Sequence, residues 1–582
     1  MLHLPLSPTI FYFCIPFPYC FMKRFFLSLL LCCGAMPVVL AQQNHNFSTA
    51  QALDIFNTLY RNLDLYYVDT LDAGHVIEAA IGGMIDELDP YTEYYKESES
   101  DELRTMTTGK YAGIGSPIIW RKGSDRCVFS SPYEGMPAAK AGVRTGDIIM
   151  KIDGEDVPPC GSQSPSDYSA DVSSRLRGDV GTLLQLTVKR PGQPHLIDMT
   201  IRRENIKRPS VAYSTLLDTS RTDGKPIGYI LLDGFTEDTY EDFSAAFRRL
   251  KSDGAESLVL DLRGNGGGLL QQAIQVVSSF IPRGQVVVET RGREDNDNRV
   301  YKTVSQPLDT EIPLVVLVDY ASASASEITS GALQDYDRAV IVGRRTYGKG
   351  LVQTPLPLPY NTMAKFTTSK YYIPSGRCVQ ARDFKRRGED GQPLHLPDSL
   401  CRVFHTQAGR PVKDGGGITP DVVVSHDSLP TMLTYLQFSD ELFDYCVDYR
   451  NSHSSIAPPT FFHLTAEEFE AFKDYMVRSG FTYDNRAKKA LDYVRRVARQ
   501  EGYADDAAEE FRALEARLSR NLADDLQRWE SEVRLSVESV IVASYYYERG
   551  LIAYNLQDDP DLDEAIRILN APARYRQLLS RP

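Results

Sequence analysis

The sequence predicts a multidomain α/β protein, with a β-rich segment ahead of its core and a helical C-terminal extension. Three observations predict this. From Ile227 to about Val424, short apolar runs alternate with helical patterns, as a layered α/β domain requires. From about Gly109 to Arg203 the pattern is short strands punctuated by glycine. Beyond Pro430 it becomes helical and rich in charge. The length of 582 residues agrees, corresponding to roughly three or four domains. With 42% hydrophobic and 24% charged residues, wholesale disorder and collagen-like structure are excluded. A net charge of −14 lacks the electrostatic footprint of a nucleic-acid binder, and no nucleic-acid partner is expected. The 9 histidines form no HExxH pair and no CxxC occurs, which argues against a zinc centre.

At the N-terminus, Met22-Lys23-Arg24 followed by the apolar run Phe25 to Val39 reads as a secretory signal peptide cut after Ala41, with Met22 as the expected start. The run is short and contains Pro37, which disfavours a membrane anchor. Cys32 and Cys33 lack the small-residue context of lipidation. The expected location is the periplasm, with envelope association as its variant. Cys14, Cys20, Cys32 and Cys33 leave with the leader. The remaining Cys127, Cys160, Cys378, Cys401 and Cys446 are odd in number and widely spaced, so no disulfide framework is expected.

Residues 42 to about 100 carry helical patterning at Ala52, Ile55, Phe56, Leu59 and Tyr60, then at Ile77, Ala80, Ile81, Met84 and Ile85. Pro90 cannot continue the second helix. Gly135 to Val143 reads as a short helix ended by glycine. Gly146 to Gly154 reads as a strand entering a tight Asp153-Gly154 turn, and Leu184 to Val188 alternates as a strand. In the core, strands are expected at Ile227–Ile230, Ser257–Leu262, Leu314–Val318 and Ala339–Val342, with helices at Tyr240–Leu250, Leu269–Phe280 and Ala325–Leu333. In the extension, Thr465 to Glu468 is a capping box followed by Phe469, Phe472, Tyr475 and Met476, and Arg512 to Arg534 reads as one long amphipathic helix.

Three small-residue segments interrupt the core: Asp261-Leu262-Arg263-Gly264-Asn265-Gly266-Gly267-Gly268, Ser322-Ala323-Ser324-Ala325-Ser326-Glu327-Ile328, and Gly343 to Gln353. Gly343 to Lys349 fits GxxxxGK, but Gly350 stands where a P-loop places the Ser or Thr that holds magnesium, and strand rather than helix follows. Leu269 likewise stands where a dinucleotide fingerprint has its third glycine. A two-carboxylate hydrolase using Asp261 and Glu327 has no supporting motif. Spacing alone does not choose among Ser322, Ser324 and Ser326. Serines at a strand-to-helix junction also serve as N-caps, the alternative role for the outer two. Arg263 is open to three roles: bracing its loop, meeting substrate, or solvated surface.

These segments, with Leu88 to Tyr94, Thr367 to Arg377 and Gly415 to Val422 in the same order, resemble the carboxyl-terminal processing (tail-specific) serine peptidases. The resemblance spans roughly residues 50 to 425. Residues around Pro137 to Gly154 are similar to a PDZ domain. The resemblance implies a crotonase/ClpP-like α/β core with an inserted PDZ domain. The limits it suggests are 1–41 signal peptide, 42–104 N-terminal helical region, 105–204 PDZ domain, 205–428 peptidase core and 429–582 C-terminal helical domain. It implies Ser324 as nucleophile, Lys349 as base and Gln353 as helper. Gly113, Ile114 and Gly115 would capture a tail carboxylate on backbone N–H groups while the peptide adds as a strand. Protein or peptide substrates with free C-termini are expected, and no metal or organic cofactor is implied. The helical tail is expected to brace the protease, dock an adaptor or mediate self-association. The alternative function is a catalytically silent PDZ scaffold.

The chemistry sets conditions on such a pair. A serine hydroxyl needs a base to attack an amide, and no histidine lies in these segments. A lysine serves only when neutral, which near pH 7–8 means lowering its pKa from about 10.4 by about three units, or about 4 kcal/mol. Desolvation supplies this if no carboxylate sits beside Lys349. Gln353 suits such a site because its amide accepts a hydrogen bond without adding charge. In a straight strand it would lie about 13 Å away, so direct contact requires a bend. An oxyanion hole needs two donors: the Ala325 N–H is one candidate, and Gly266 or Gly267 supplies the other.

Overall fold

The computed structural model describes residues 47–99, 108–388, 391–426, 429–518 and 521–580. The expected signal peptide lies outside the described residues. The chain divides into two units, meeting between Glu87 and Leu88. In the first, residues 47–66 are helical and a second helix spans Ala73–Asp86. Asp72 caps the second by accepting the His75 N–H, and the Tyr60 hydroxyl donates to the Ala73 carbonyl (3.1 Å).

The second unit is built around a six-stranded sheet. Its order is Val211–Leu216, Ile227–Leu232, Ser257–Asp261, Leu314–Val318, Val340–Gly343 and Val422–Val423, and only the first pair is antiparallel. Its central strands are buried on both faces, which is why they read as unbroken apolar runs. Side chains alternate between those faces. Leu258, Leu260, Val316 and Ile341 pack on one side with Phe243, Val277, Ile328 and Ala332, which come from the helices Thr239–Ser252, Leu270–Ser278 and Ala325–Asp335. Val259, Val315, Leu317 and Val342 pack on the other, against Leu562, Ala565, Ile566 and Leu569 of the helix Pro560–Asn570. The end of the chain therefore completes the core. A second, antiparallel sheet joins Glu93–Tyr95, Met363–Tyr372, Leu351–Pro357, Val286–Gly292 and Arg299–Lys302.

The β-rich segment holds its own core. A six-stranded antiparallel sheet is covered by the helix Pro165–Leu176 through Tyr168, Val172 and Leu176. Its tight turn has Asp153 and Gly154 both at positive φ (52° and 84°), the type I′ geometry that matches strand twist. Asp147 and Arg190 form a buried fork, both bonds 2.7 Å. Removing one partner of such a pair costs about 3–5 kcal/mol.

The extension is helical, but residues 512–534 do not form one helix. Helices run Ala508–Leu518, Leu522–Arg528 and Glu530–Asn555, the last broken by non-helical geometry at Tyr547 (φ 57°, ψ −163°). Asn521 restarts the second by accepting the Asp524 N–H, and Trp529 leaves helical geometry before the third (ψ 36°). The Thr465–Glu468 capping box forms, and Phe469, Phe472 and Met476 are buried behind it. Arg121 of the β-rich segment ties it to this extension, pairing with Asp440 (2.7 Å) and Asp444 (2.8 Å) above the Phe443 ring.

Candidate active site

Three neighbouring parallel strands, Ser257–Asp261, Leu314–Val318 and Val340–Gly343, end at the same edge of the sheet, and each opens into one of the three small-residue segments. Loops at the carboxyl ends of adjacent parallel strands are where α/β sheets build crevices. Parallel pairing thus brings together residues that lie far apart in sequence.

The serine segment sorts itself by geometry. The Ser322 hydroxyl donates to the Leu262 carbonyl (2.8 Å), and the Ser326 hydroxyl donates to the Asn265 carbonyl (2.8 Å); both residues are buried. Ser324 is half-buried, with φ 54° and ψ −111°, at the N-cap of the helix Ala325–Asp335. A non-glycine residue at positive φ is strained and persists only where its surroundings hold it. The N-cap is therefore Ser324 itself, whereas the outer serines anchor the turn to the glycine segment.

The restraint on Ser324 comes from Glu327, a carboxylate with no exposed surface. Its Oε2 accepts the N–H of Ser324 (3.0 Å) and of Lys349 (2.8 Å). Its Oε1 accepts the Gly348 N–H (2.7 Å) and the Thr346 hydroxyl (2.6 Å). Burial pushes this carboxyl up to about 7, against the pull of those four donors. Glu327 thus joins the serine turn to the Gly348-Lys349-Gly350 segment through backbone amides. Sequence reasoning weighed it only as half of a carboxylate pair. The signal was present: Ser324-x-x-Glu327 is a capping-box pattern.

Lys349 is half-buried, with Nζ 4.3 Å from the centroid of the Tyr91 ring. Burial lowers its pKa from the ordinary lysine value and Lys365 adds to this, while Glu93, Asp89 and Glu327 oppose it. The condition that no carboxylate act on Lys349 is thus not fully met; desolvation nevertheless prevails. Among the described residues, no hydrogen bond joins the Ser324 hydroxyl to Lys349 Nζ. Nor does Gln353 touch Lys349. A register shift between Val352 and Gln353 bends the strand, and the Gln353 amide donates to the Thr367 hydroxyl (3.1 Å), which donates to Asp89 Oδ1 (3.1 Å). The Leu88 to Tyr94 segment is thereby drawn to the site. The GxxxxGK stretch leads into the strand Leu351–Pro357, not a helix, so the phosphate-cradling arrangement is not built.

The glycine segment lies against the serine turn. A Cβ on Gly267 (φ 102°) would fall 2.8 Å from Ser324 Cβ and 2.9 Å from Ala325 N, so no side chain fits there. One at Gly266 would meet nothing within 4 Å, which separates the two oxyanion candidates by proximity. The Gly267 N–H is engaged with Asn265 Oδ1 (2.9 Å). Asn265 also donates to the Leu232 carbonyl (2.7 Å), and its own carbonyl accepts the Ala323 N–H (3.0 Å). Asp319 Oδ1 accepts N–H groups from both segments, Gly264 (3.1 Å) and Ser322 (3.0 Å).

In the β-rich segment, Gly113 ends the strand Lys110–Gly113, paired with Glu204. The Ile114 and Gly115 carbonyls accept the N–H groups of Ala138 (2.8 Å) and Tyr133 (2.9 Å). Among the described residues, the Ile114 and Gly115 N–H groups meet no acceptor. They border a groove of about 430 Å³, together with Tyr111, Ser173 and Arg177.

Comparison with known proteins follows the same division. Residues 226–386 match peptidase family S41, residues 128–190 match the PDZ domain, and residues 432–569 match the C-terminal helical domain of probable PDZ-proteases. A carboxy-terminal-processing protease of Bartonella bacilliformis is 38% identical over 354 residues, covering 60% of this chain and 77% of that protein. A probable CtpA-like serine protease of Staphylococcus haemolyticus is 29% identical over 413 residues, 70% of this chain and 79% of that protein. Among solved structures, the photosystem II D1 C-terminal processing protease is 27% identical, covering 65% of this chain and 94% of that chain, with a TM-score of 0.34.

Proposed function

The chain belongs to the carboxy-terminal-processing proteases of peptidase family S41 and is a serine-type endopeptidase, and from that premise we propose that Ser324 and Lys349 form its catalytic pair and that its PDZ domain captures substrate C-termini. The observation that carries this reading is the strained Ser324 backbone at a strand-to-helix turn, between two serines whose hydroxyls are committed to carbonyls. Ser324 Oγ attacks the scissile carbonyl carbon while neutral Lys349 takes the hydroxyl proton, then returns it to the leaving amine; a water that gives a proton to Lys349 next attacks the acyl-enzyme ester, and Ser324 Oγ leaves with that proton. The Ala325 N–H and the Gly267 N–H receive the oxyanion, the latter exchanging Asn265 Oδ1 for it. Gln353 holds Thr367 and Asp89 in place behind Lys349. The free Ile114 and Gly115 N–H groups support carboxylate capture, and the groove beside them supports strand addition.

The same proposal includes a crotonase/ClpP-like core, the domain limits 105–204, 205–428 and 429–582, and export to the periplasm through the leader ending at Ala41. N-terminal sequencing of the mature protein tests the last point. The principal test gives wild type and Ser324→Ala an unstructured protein with an apolar free C-terminus, and the same protein amidated. Cleavage by wild type alone, lost on amidation, is the expected result. Cleavage indifferent to amidation retires tail capture, and cleavage by Ser324→Ala retires the nucleophile. Tail binding by wild type without cleavage favours a scaffold.

A further inference from the structure

The glycine segment is gripped from behind by the far end of the chain. Arg263 Nη1 donates to Asp559 Oδ1 (2.9 Å) and to Asp561 Oδ2 (3.0 Å), and Nη2 donates to Asp559 Oδ2 (2.6 Å). Asp261 takes Nε (3.0 and 3.1 Å) and Nη2 (2.5 Å). One guanidinium thus serves three carboxylates, two of which, Asp261 and Asp561, expose only 2% of their side chains. The Tyr229 hydroxyl donates to Asp261 (2.7 Å), and His426 Nε2 lies 2.9 Å from Asp561. The junction borders a cavity of about 920 Å³; ion pairs hold the start of the helix there, while Leu562 and the residues after it pack on the sheet.

The grip continues into the site. The Arg263 N–H sits on Asp261 Oδ1 (2.9 Å), the next residue is pinned on Asp319, and Gly267 then meets Ser324. A buried ion network of this kind contributes little net stability, because desolvation offsets attraction. What it supplies is geometry, since a bidentate fork fixes the plane and position of the arginine.

We propose that Asp559 and Asp561 are positioning residues for peptide hydrolysis, holding Arg263 so that the glycine segment stays seated on the Ser324 turn. The helix Pro560–Asn570 is then a working part of the catalytic apparatus. This inference rests on the reading of Ser324 as nucleophile and of the glycine segment as oxyanion donor.

The test uses the purified full chain and a short internal peptide substrate that does not need tail capture. Asp559→Asn, Asp561→Asn, Asp561→Glu and Ser324→Ala are compared for kcat, KM, melting temperature and the rate of labelling by a fluorophosphonate. Asp559 is the N-cap of its helix, accepting the Leu562 N–H (3.1 Å), and asparagine keeps that role. The two Asn variants are expected to lose kcat and labelling rate by about 10–100-fold, as small misplacements of reacting groups do, with KM close to wild type; the melting temperature falls because one partner of a buried ion network is neutralised, so rates are compared at a temperature where every variant is folded. Asp561→Glu is expected to regain most of the loss. Wild-type kcat in folded Asn variants overturns the proposal, as does a loss that only tracks the unfolded fraction. Inactive Ser324→Ala beside fully active Asn variants overturns this inference alone. Cleavage by Ser324→Ala overturns the nucleophile reading and this inference with it.

Discussion

The serine turn and the PDZ loop are both short, glycine-bordered connections, yet they are built in opposite ways. At the serine turn nearly every neighbouring polar group is committed. Glu327 takes three amides, those of Ser324, Gly348 and Lys349, Asn265 and Asp319 stitch the turn to the glycine segment, and both outer serines are tied down. At the PDZ loop the carbonyls are tied back, while among the described residues the N–H groups of Ile114 and Gly115 meet no acceptor and both residues line a groove. The difference teaches what each task demands. Bond cleavage needs a few atoms held in one geometry, strain included. Strand addition needs donors presented without partners, so that an incoming chain supplies them.

Four substitutions break or sharpen this contrast, taken from the largest expected effect. Ser324→Ala should reduce kcat on a short peptide by at least about 10⁴-fold while leaving tail binding intact, read by turnover and by calorimetry. Lys349→Met should cost about 10²–10⁴-fold. In wild type, kcat/KM should rise with pH along a limb lying below the ordinary lysine pKa of about 10.4, because burial lowers Lys349; the variant should lack that limb.

Glu327→Gln should cost about tenfold in kcat by loosening the turn, and it carries a signature in stability. The folded carboxyl, at about 7, lies above the unfolded value of about 4.3, so the folded state binds the proton more tightly. That stabilisation is complete below about pH 4.3 and is lost as pH rises to about 7, a change of order 4 kcal/mol. Denaturant titrations of wild type and of Glu327→Gln should differ by this decline across the window, on top of the pH dependence that both share through other buried carboxyls such as Asp335 and Asp421. The smallest effect is expected at Gly115→Ala, where φ is 74° and a Cβ would fall 2.5 Å from that of Met136. KM for a tail-bearing protein should rise by a few-fold, less than the loss at Glu327→Gln, with the short-peptide rate unchanged. An equal loss on both substrates would join the two regions that the structure separates.

Much of this was legible in the sequence, and the reasons differ by region. The buried strands Ser257–Asp261 and Leu314–Val318 announce themselves because parallel strands covered on both faces must be apolar throughout. Asp153-Gly154 announces its turn because few other residues adopt positive φ twice running. Asn521 and Trp529 were harder to read, since an amphipathic pattern continues across a helix break whose cap is a single side chain. Which serine is strained was legible only in part: Ser324-x-x-Glu327 is a capping-box pattern, but the hold of Glu327 on Gly348 and Lys349, which fixes that turn in place, leaves no local pattern. The links from Gln353 through Thr367 to Asp89, and from Arg263 to Asp559, span 278 and 296 positions between their most distant partners. No local pattern reports contacts of that range.

The second face of the central sheet is closed by Leu562, Ala565, Ile566 and Leu569, which lie more than two hundred positions from the strands they cover. A chain trimmed before Pro560 would keep Ser324, Lys349 and Gln353, yet Val315 and Leu317, on the strand that leads to the serine turn, would lose their apolar cover. Cutting the molecule back to its α/β core would therefore not yield a minimal enzyme. It would yield an apolar sheet surface with the catalytic side chains still attached to it.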